Sequence, residues 1–248
     1  MYQRGGLHIK FVPYHFMYPL QFTGQILQRY GLPTGHFVRG ETENLRELVM
    51  ELAHAFESPD QFDPRVFLDF PPELVVDYIR RTHRLYLFRK LPEMEQSIEL
   101  LLGDYESGHP LLTILHDFYS SYKLSLSLHI CEEEQHLLPF VDYLIRAHKN
   151  GFDSYDYLKQ SKRYVLQEFE DDHHDDSERS LDEIRATIAM YEPPVTNETP
   201  YRILLKQMEN FSLDLHIHGK IEDLVLLPLM KEIQLVLDKE FNRRIPLT

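Results

Sequence analysis

Three short breaks divide residues 72–242 into four long segments, and this division limits the folds that the chain can adopt. Each break combines Gly or Pro with Asn, Asp, Ser or Thr, which are residues that favour turns. The breaks are DYESGHP (104–110), KNGFDS (149–154) and EPPVTNETP (192–200). The segments show no strand-like alternation of apolar and polar residues, and they cover approximately 72–104, 110–148, 155–191 and 200–242.

Apolar residues in each segment recur at spacings of three and four, which is the period of an amphipathic α-helix. In the last segment, for example, the apolar stripe passes through Leu204, Met208, Phe211 and Leu215. A stripe of this kind lets each helix bury one face against a shared core. Four long helices with short connections predict an all-α protein, an up-down-up-down four-helix bundle.

The first 71 residues have a different pattern, in which Gly and Pro are frequent. Two stretches, GQILQRYG (24–31) and ETENLRELVMELAHAFES (41–58), predict short helices, and LPTGHFVRG (32–40) joins them. We therefore expect a small N-terminal helical region over residues 1–71, followed by the bundle over residues 72–248.

The charge and the single cysteine exclude several classes of protein. With 26 Lys and Arg against 40 Asp and Glu, the formal net charge is −14. This acidic balance argues against nucleic acid and anionic membranes as partners, because both attract clustered basic residues. Cys131 alone can form neither an internal disulfide nor a zinc ribbon. The sequence shows no membrane-length apolar run and no signal-peptide pattern, so we expect a cytoplasmic protein.

Two of the apolar stripes are interrupted by the same polar pattern, H-x3-E-x5-P. It occurs at His129 and Glu133 in the second segment, and at His218 and Glu222 in the fourth. Polar side chains on a buried stripe are costly unless they are paired or bound to metal. Residues i and i+4 of a helix lie on one face about 6 Å apart, so each pair can reach one metal site.

The spacing of four histidines places them at one height in the bundle. They lie 46, 45 and 44 residues apart, and they are His83, His129, His174 and His218. In an antiparallel bundle, residues that are equally far from the intervening turn lie side by side. Four imidazoles in one layer with Glu133 and Glu222 suit a pair of iron ions bridged by the carboxylates, because bundle cores are known sites for such centres.

The residues next to the candidate ligands are expected to lie outside the site. Glu132, Glu134 and Asp223 fall off the apolar stripe, so we expect them to face solvent or a helix flank and to leave iron binding nearly unchanged when replaced. Arg84 and His173 also fall off the stripe, although a shift of the register by one residue would exchange them with His83 and His174.

Four stretches within residues 72–232 also carry a resemblance to known proteins. They are LVVDYIRRTHRLYLFRKLPEM, HICEEEQHLLPF, DDHHDDSERSLDEIR…YEPP and DLHIHGKIEDLVLLP. They resemble the hemerythrin-like (HHE) domain family, and most of all its iron-centre repair proteins of the RIC (YtfE/ScdA) type. The resemblance implies a non-haem di-iron centre, oxo-bridged, in a protein that handles iron under oxidative or nitrosative stress. The ligands that it implies are the residues chosen above: His83, His129, Glu133, His174, His218 and Glu222.

The sequence departs from the RIC pattern at two places. Members of that type usually have HH where this chain has His83-Arg84. Their N-terminal domain carries a Cys-Cys pair after a segment similar to QRYG (28–31), and here that stretch contains no cysteine. If those thiols transfer iron or reduce the centre, this chain does so differently.

Three functions therefore stay open, in this order. The first is an iron-binding stress protein that supplies or stores iron for damaged centres, with a recipient iron protein as its partner. The second is a protein that binds or senses O2 or NO at a free coordination position. The third is an oxidoreductase that turns over at the di-iron pair. The missing cysteines weigh against the first function, and the lack of a recognisable output domain weighs against the second.

Overall fold

The structure of the protein is a computed structural model, and it describes residues 22–31, 43–106, 108–163, 166, 177–194 and 197–244. Every regular element in these ranges is helical, which confirms the predicted all-α class. No helix in the described part of the chain is both long enough and apolar enough to cross a membrane.

The two short helices predicted near the N-terminus are present. They are α1 (Thr23–Arg29) and α2 (Glu43–Glu57), and two 3₁₀ turns follow at Pro59–Gln61 and Pro64–Val66. Both helices pack on the core of the bundle through residues such as Ile26 and Leu52. The boundary between an N-terminal region and a bundle at residue 72 stays a prediction.

The bundle helices end at the predicted turns, and a π turn divides the first, second and fourth of them into two parts. The first consists of α3 (Pro72–Leu85) and α4 (Leu91–Asp104), and the second of α5 (Pro110–Glu132) and α6 (Leu138–Asn150). The third contains α7 (Ser154–Arg163) and α8 (Ser177–Ile188), and the fourth α9 (Thr199–Ile221) and α10 (Leu227–Arg244). His173 and His174 lie between α7 and α8, outside the described residues.

A π turn joins the two parts of the first, second and fourth bundle helices. The turns are Tyr86–Lys90, Glu133–Leu137 and Glu222–Leu226. Each is followed by a Leu-Pro pair, and the N–H of that Leu donates to the carbonyl five residues earlier. Proline has no N–H to donate and its ring crowds the preceding turn. The wider π turn accommodates the proline within a continuous helix, and such turns are frequent at functional sites.

A polar layer separates two apolar clusters along the bundle. The lower cluster contains Ile79 and Leu137 and includes the buried residues of α1 and α2. The upper cluster contains Tyr86 and Ile130 and extends to the turn between α4 and α5. On α3, buried polar residues lie between Ile79 and Tyr86. On the second bundle helix, a buried polar residue lies between Ile130 and Leu137. The tertiary structure therefore places a polar layer between the two clusters, and two of the four histidines that the spacing assigned to one layer, His83 and His218, are buried in it.

Candidate metal centre

Two histidines and two glutamates from three bundle helices converge in the polar layer. His83 comes from α3, Glu133 begins the π turn after α5, and His218 and Glu222 lie at the end of α9 and the start of the next π turn. Their side chains are at most 6% exposed. Each offers one ligand atom, and the four atoms lie within 4.8 Å of one another. A buried group of imidazole and carboxylate donors such as this could hold a metal.

His83 lies at the centre of this group. Its Nε2 atom is 3.1 Å from Glu133 Oε2, 3.3 Å from His218 Nε2 and 3.7 Å from Glu222 Oε1. His218 Nε2 in turn lies 3.3 Å from Glu222 Oε1. The neighbouring Arg84 is exposed, so α3 presents His83 and not Arg84 to the core. The register chosen from the apolar stripe is the register that the structure has.

Of the six predicted ligands, the structure brings four together and places a fifth beside them. His129 Nε2 is 3.4 Å from Glu133 Oε1, but the His129 side chain is 26% exposed and is not part of the buried group. His174 lies outside the described residues. The site is therefore buried on the side of α3 and α9 and closer to solvent on the side of α5.

Glu134 lies on a helix flank, as expected, but that flank contacts the candidate ligand His83. Its Oε1 atom is 2.9 Å from His83 Nδ1, and its side chain is only 36% exposed. Arg80 lies 3.8 Å from the other oxygen of Glu134 and also bonds to Asp142 at 2.7 Å. The flank of the second bundle helix that carries Glu134 faces α3, which an argument from one helix face alone does not include. Glu132 and Asp223, by contrast, are exposed as expected.

The contact between Glu134 and His83 fixes which imidazole nitrogen faces the core. A carboxylate that accepts from Nδ1–H leaves Nε2 free to bind a metal, and such partners typically contribute a factor of about 10–100 in metal affinity. We therefore expect Glu134→Ala to weaken Co²⁺ or Fe²⁺ binding by roughly 10–100-fold in a titration. Glu134→Gln, which keeps an acceptor, should lose less, and Glu132→Ala serves as the neighbouring control. Equal affinities for Glu134→Ala and the control would show that this contact does not orient His83.

Comparison with known proteins finds one distant relative. Over 160 residues, which are 64% of this chain and 67% of the relative, the sequence is 22% identical to the iron-sulfur cluster repair protein ScdA of Staphylococcus haemolyticus. No protein-family model matches the chain, and no solved structure matches it significantly. The chain is thus distantly similar to an iron-sulfur cluster repair protein and carries a buried His/Glu group that could hold a metal.

The pKa values of His83 and Glu222 in the buried group are raised. Burial lowers the pKa of His83, but the hydrogen bonds that its ring donates to Glu133 and Glu134 outweigh this and raise the pKa well above its ordinary value. Burial, reinforced by the charge of Glu133, raises the pKa of Glu222 to about 8. The hydrogen bond to His83 lowers the pKa of Glu134. A metal that binds here must therefore displace protons, as is general for His and carboxylate ligands.

A second buried polar group, which the sequence pattern did not lead us to predict, lies beside His218. Asp214 precedes His218 by one helical turn and is 2% exposed. It accepts a hydrogen bond of 2.8 Å from the hydroxyl of Tyr86, whose ring lies edge-on to the His218 ring with a centroid distance of 5.5 Å. The spacing D-x3-H-x3-E on α9 was the available signal, because it puts all three side chains on one helix face.

Proposed function

We propose that this chain holds a non-haem di-iron centre and handles iron, or helps to repair iron-sulfur centres, under oxidative or nitrosative stress. The observation that carries the proposal is the buried group of two imidazoles and two carboxylates. The similarity to an iron-sulfur cluster repair protein supports iron as the metal. The proposed ligands are His83, His129, Glu133, His174, His218 and Glu222.

The residues present suit such a centre. Neutral imidazole and carboxylate donors favour iron over softer metals that prefer thiolates, and the group contains no sulfur ligand. Glu133 and Glu222 come from two different bundle helices, so one carboxylate can approach the metals from each side. Bound iron supplies Lewis acidity and redox chemistry. The chain supplies the orientation of His83 through Glu134 and an apolar surrounding from the two clusters.

The chain lacks the Cys-Cys pair that its resemblance to RIC-type proteins leads us to expect. The segment from residue 32 to residue 40 contains no cysteine, and the one cysteine of the chain, Cys131, is exposed on α5. We propose that any iron transfer from this chain uses the exposed side of the site near His129 and Glu134, without a thiol pair. The recipient would be an iron protein.

The iron content tests the proposed function directly. After anaerobic reconstitution with Fe²⁺ and removal of free metal, we expect close to two irons per chain, because the ligand set holds two carboxylates that can bridge. On exposure to air, an oxo-bridged pair should give oxo-to-iron absorption bands. Elemental analysis measures the first result and optical spectroscopy the second. Folded protein that retains less than about a tenth of an iron per chain, far below what a chelating buried site holds, would refute the proposal.

Binding of O2 or NO is a second candidate function. It is favoured by the partial exposure of His129 and Glu134, which brings the buried group near solvent on one side. Titration of the reduced, iron-loaded protein with NO would give a saturable spectral change if this function holds. Reduced, iron-loaded protein whose spectrum does not change with NO would leave iron storage or supply as the function.

A further inference from the structure

Arg29 of α1 carries a guanidinium group into the interior of the bundle. Its side chain is 0% exposed. Nη2 donates to Asp214 Oδ1 at 2.6 Å, and Nη1 donates to Tyr78 OH at 2.8 Å and to Thr82 Oγ1 at 2.7 Å. A buried charge is strongly destabilising when it loses its partner, so α1 is held against the bundle by this set of contacts.

The contacts of Arg29 lead through Asp214 and Tyr86 to the candidate metal centre. Asp214 Oδ1, which accepts from Arg29, also accepts from Tyr86 OH. The Tyr86 ring packs edge-on against the His218 ring. The guanidinium is therefore linked to a proposed ligand by two hydrogen bonds and one ring contact, all among buried residues.

The position of Thr82 and Tyr86 in α3 explains how this link arises. Relative to the Leu-Pro pair that follows each π turn, Thr82 and Tyr86 occupy the positions that a His and a Glu occupy in the second and fourth bundle helices. Both side chains bond to the Arg29–Asp214 ion pair. The candidate ligand of α3 comes from the next position, His83. In the first bundle helix, the two positions that correspond to the His and the Glu therefore bond to the ion pair that holds α1.

We propose that Arg29 is a positioning residue that couples docking of α1 to the geometry of the metal centre. It fixes Asp214, Asp214 fixes the Tyr86 hydroxyl, and the Tyr86 ring holds the His218 imidazole in its metal-binding orientation. The proposal rests on the proposed metal binding and extends it to the N-terminal helices. Loss of the Arg29 guanidinium lowers metal affinity, and metal binding stabilises the Arg29–Asp214 contact by the same factor.

Metal titration of two full-length variants tests this coupling. Arg29→Met removes the guanidinium and keeps an apolar side chain of similar length. Arg81→Met is the matched control, because Arg81 also contacts the α1 region, through its bond to the Arg29 carbonyl and its position over the Tyr30 ring, whereas its carboxylate partner is Asp77 and not Asp214. With Co²⁺ as the probe, we expect affinity to fall by about 10–100-fold in Arg29→Met and to change little in Arg81→Met. Equal losses in both would overturn the proposal.

A double variant separates positioning from folding. Arg29→Met alone leaves the Asp214 carboxylate buried without its cation, which can unfold the chain. Arg29→Met with Asp214→Leu removes both charges, and apolar replacement of a buried ion pair often preserves stability. We expect this variant to fold and still to bind Co²⁺ more weakly with an altered absorption spectrum, because the Tyr86 hydroxyl has lost its acceptor. Wild-type affinity and an unchanged spectrum in the double variant would overturn the proposal.

The imidazole resonances of the metal-free protein give a readout that does not depend on metal binding. In ¹⁵N-histidine spectra, the ring signals of His218 should move in Arg29→Met and in Tyr86→Phe, and should stay in place in Arg81→Met. If His218 does not respond to Arg29→Met, the relay through Asp214 and Tyr86 is wrong. If the wild-type chain binds neither Co²⁺ nor Fe²⁺, the proposed function fails, and these resonances still decide whether Arg29 positions His218.

Discussion

Replacement of either buried glutamate is expected to remove most of the iron from the protein. Glu133→Ala and Glu222→Ala each delete one of the two carboxylates in the buried group, and no other carboxylate of that group can take its place. Loss of a direct ligand should cost more than the roughly 10–100-fold typical of supporting residues. Elemental analysis after reconstitution should show iron well below the wild-type content, and the oxo-to-iron absorption should weaken in parallel.

The matched controls for these variants are their exposed neighbours in sequence. Glu132 and Asp223 directly flank the two buried glutamates, but their side chains are exposed. Glu132→Ala and Asp223→Ala change the net charge by the same amount as the ligand variants and should keep the wild-type iron content. If either control lost as much iron as Glu133→Ala or Glu222→Ala, the assignment of the inward-facing carboxylates would be wrong.

Metal loading is expected to raise the thermal stability of the chain strongly. A ligand at 1,000 times its dissociation constant stabilises the folded state by about 4 kcal/mol. For a chain of this size, that shift corresponds to a rise in Tm on the order of 10 °C. Differential scanning calorimetry of metal-free and iron-loaded protein measures it. Equal melting temperatures for the two forms, with the metal shown to be bound, would contradict a buried site.

The difference in Tm between the iron-loaded and the metal-free protein should increase with pH. In the folded metal-free protein the pKa of Glu222 rises from 4.5 to about 8, and the pKa of His83 is also raised. Between pH 4.5 and about pH 8, Glu222 therefore binds more protons in the folded chain than in the unfolded chain. The stability that this proton binding contributes is lost as the pH rises. Bound metal replaces the protons. We therefore expect the Tm of the metal-free protein to fall between pH 5.5 and pH 8, with a smaller fall for the loaded protein.

Polar side chains within an apolar core are costly to bury, and the structure shows how that cost is reduced. The raised pKa values of His83 and Glu222 keep protons on these two groups, which offsets part of the repulsion between the two buried carboxylates. The Arg29–Asp214 pair is likewise neutral as a unit. The four side chains of the buried group therefore lie near one another in the folded chain. Such preorganisation lowers the free energy needed to form the site when the metal arrives.

Periodicity and spacing by themselves predicted the main helices, the bundle and four of the buried polar residues. These features are local or depend only on counting along antiparallel helices. The stripe of α3 separates His83 from Arg84 because a shift of one residue rotates a side chain by about 100°. The H-x3-E pairs identify Glu133 and Glu222 for the same reason. Even the π turns have a sequence signal, since a Leu-Pro pair follows each of them.

Only the tertiary structure decided which flanking side chains complete the site. Glu134 lies off the apolar stripe of its own helix, and it contacts His83 because α3 packs against that flank. Arg29 and Asp214 are 185 residues apart in the chain and form one ion pair. Contacts of this kind depend on how helices are placed relative to one another, whereas the hydrophobic period of a single helix reports only which of its faces is buried. The sequence therefore predicted the layer of candidate ligands, and the packing of α1 and α3 determined how that layer is supported.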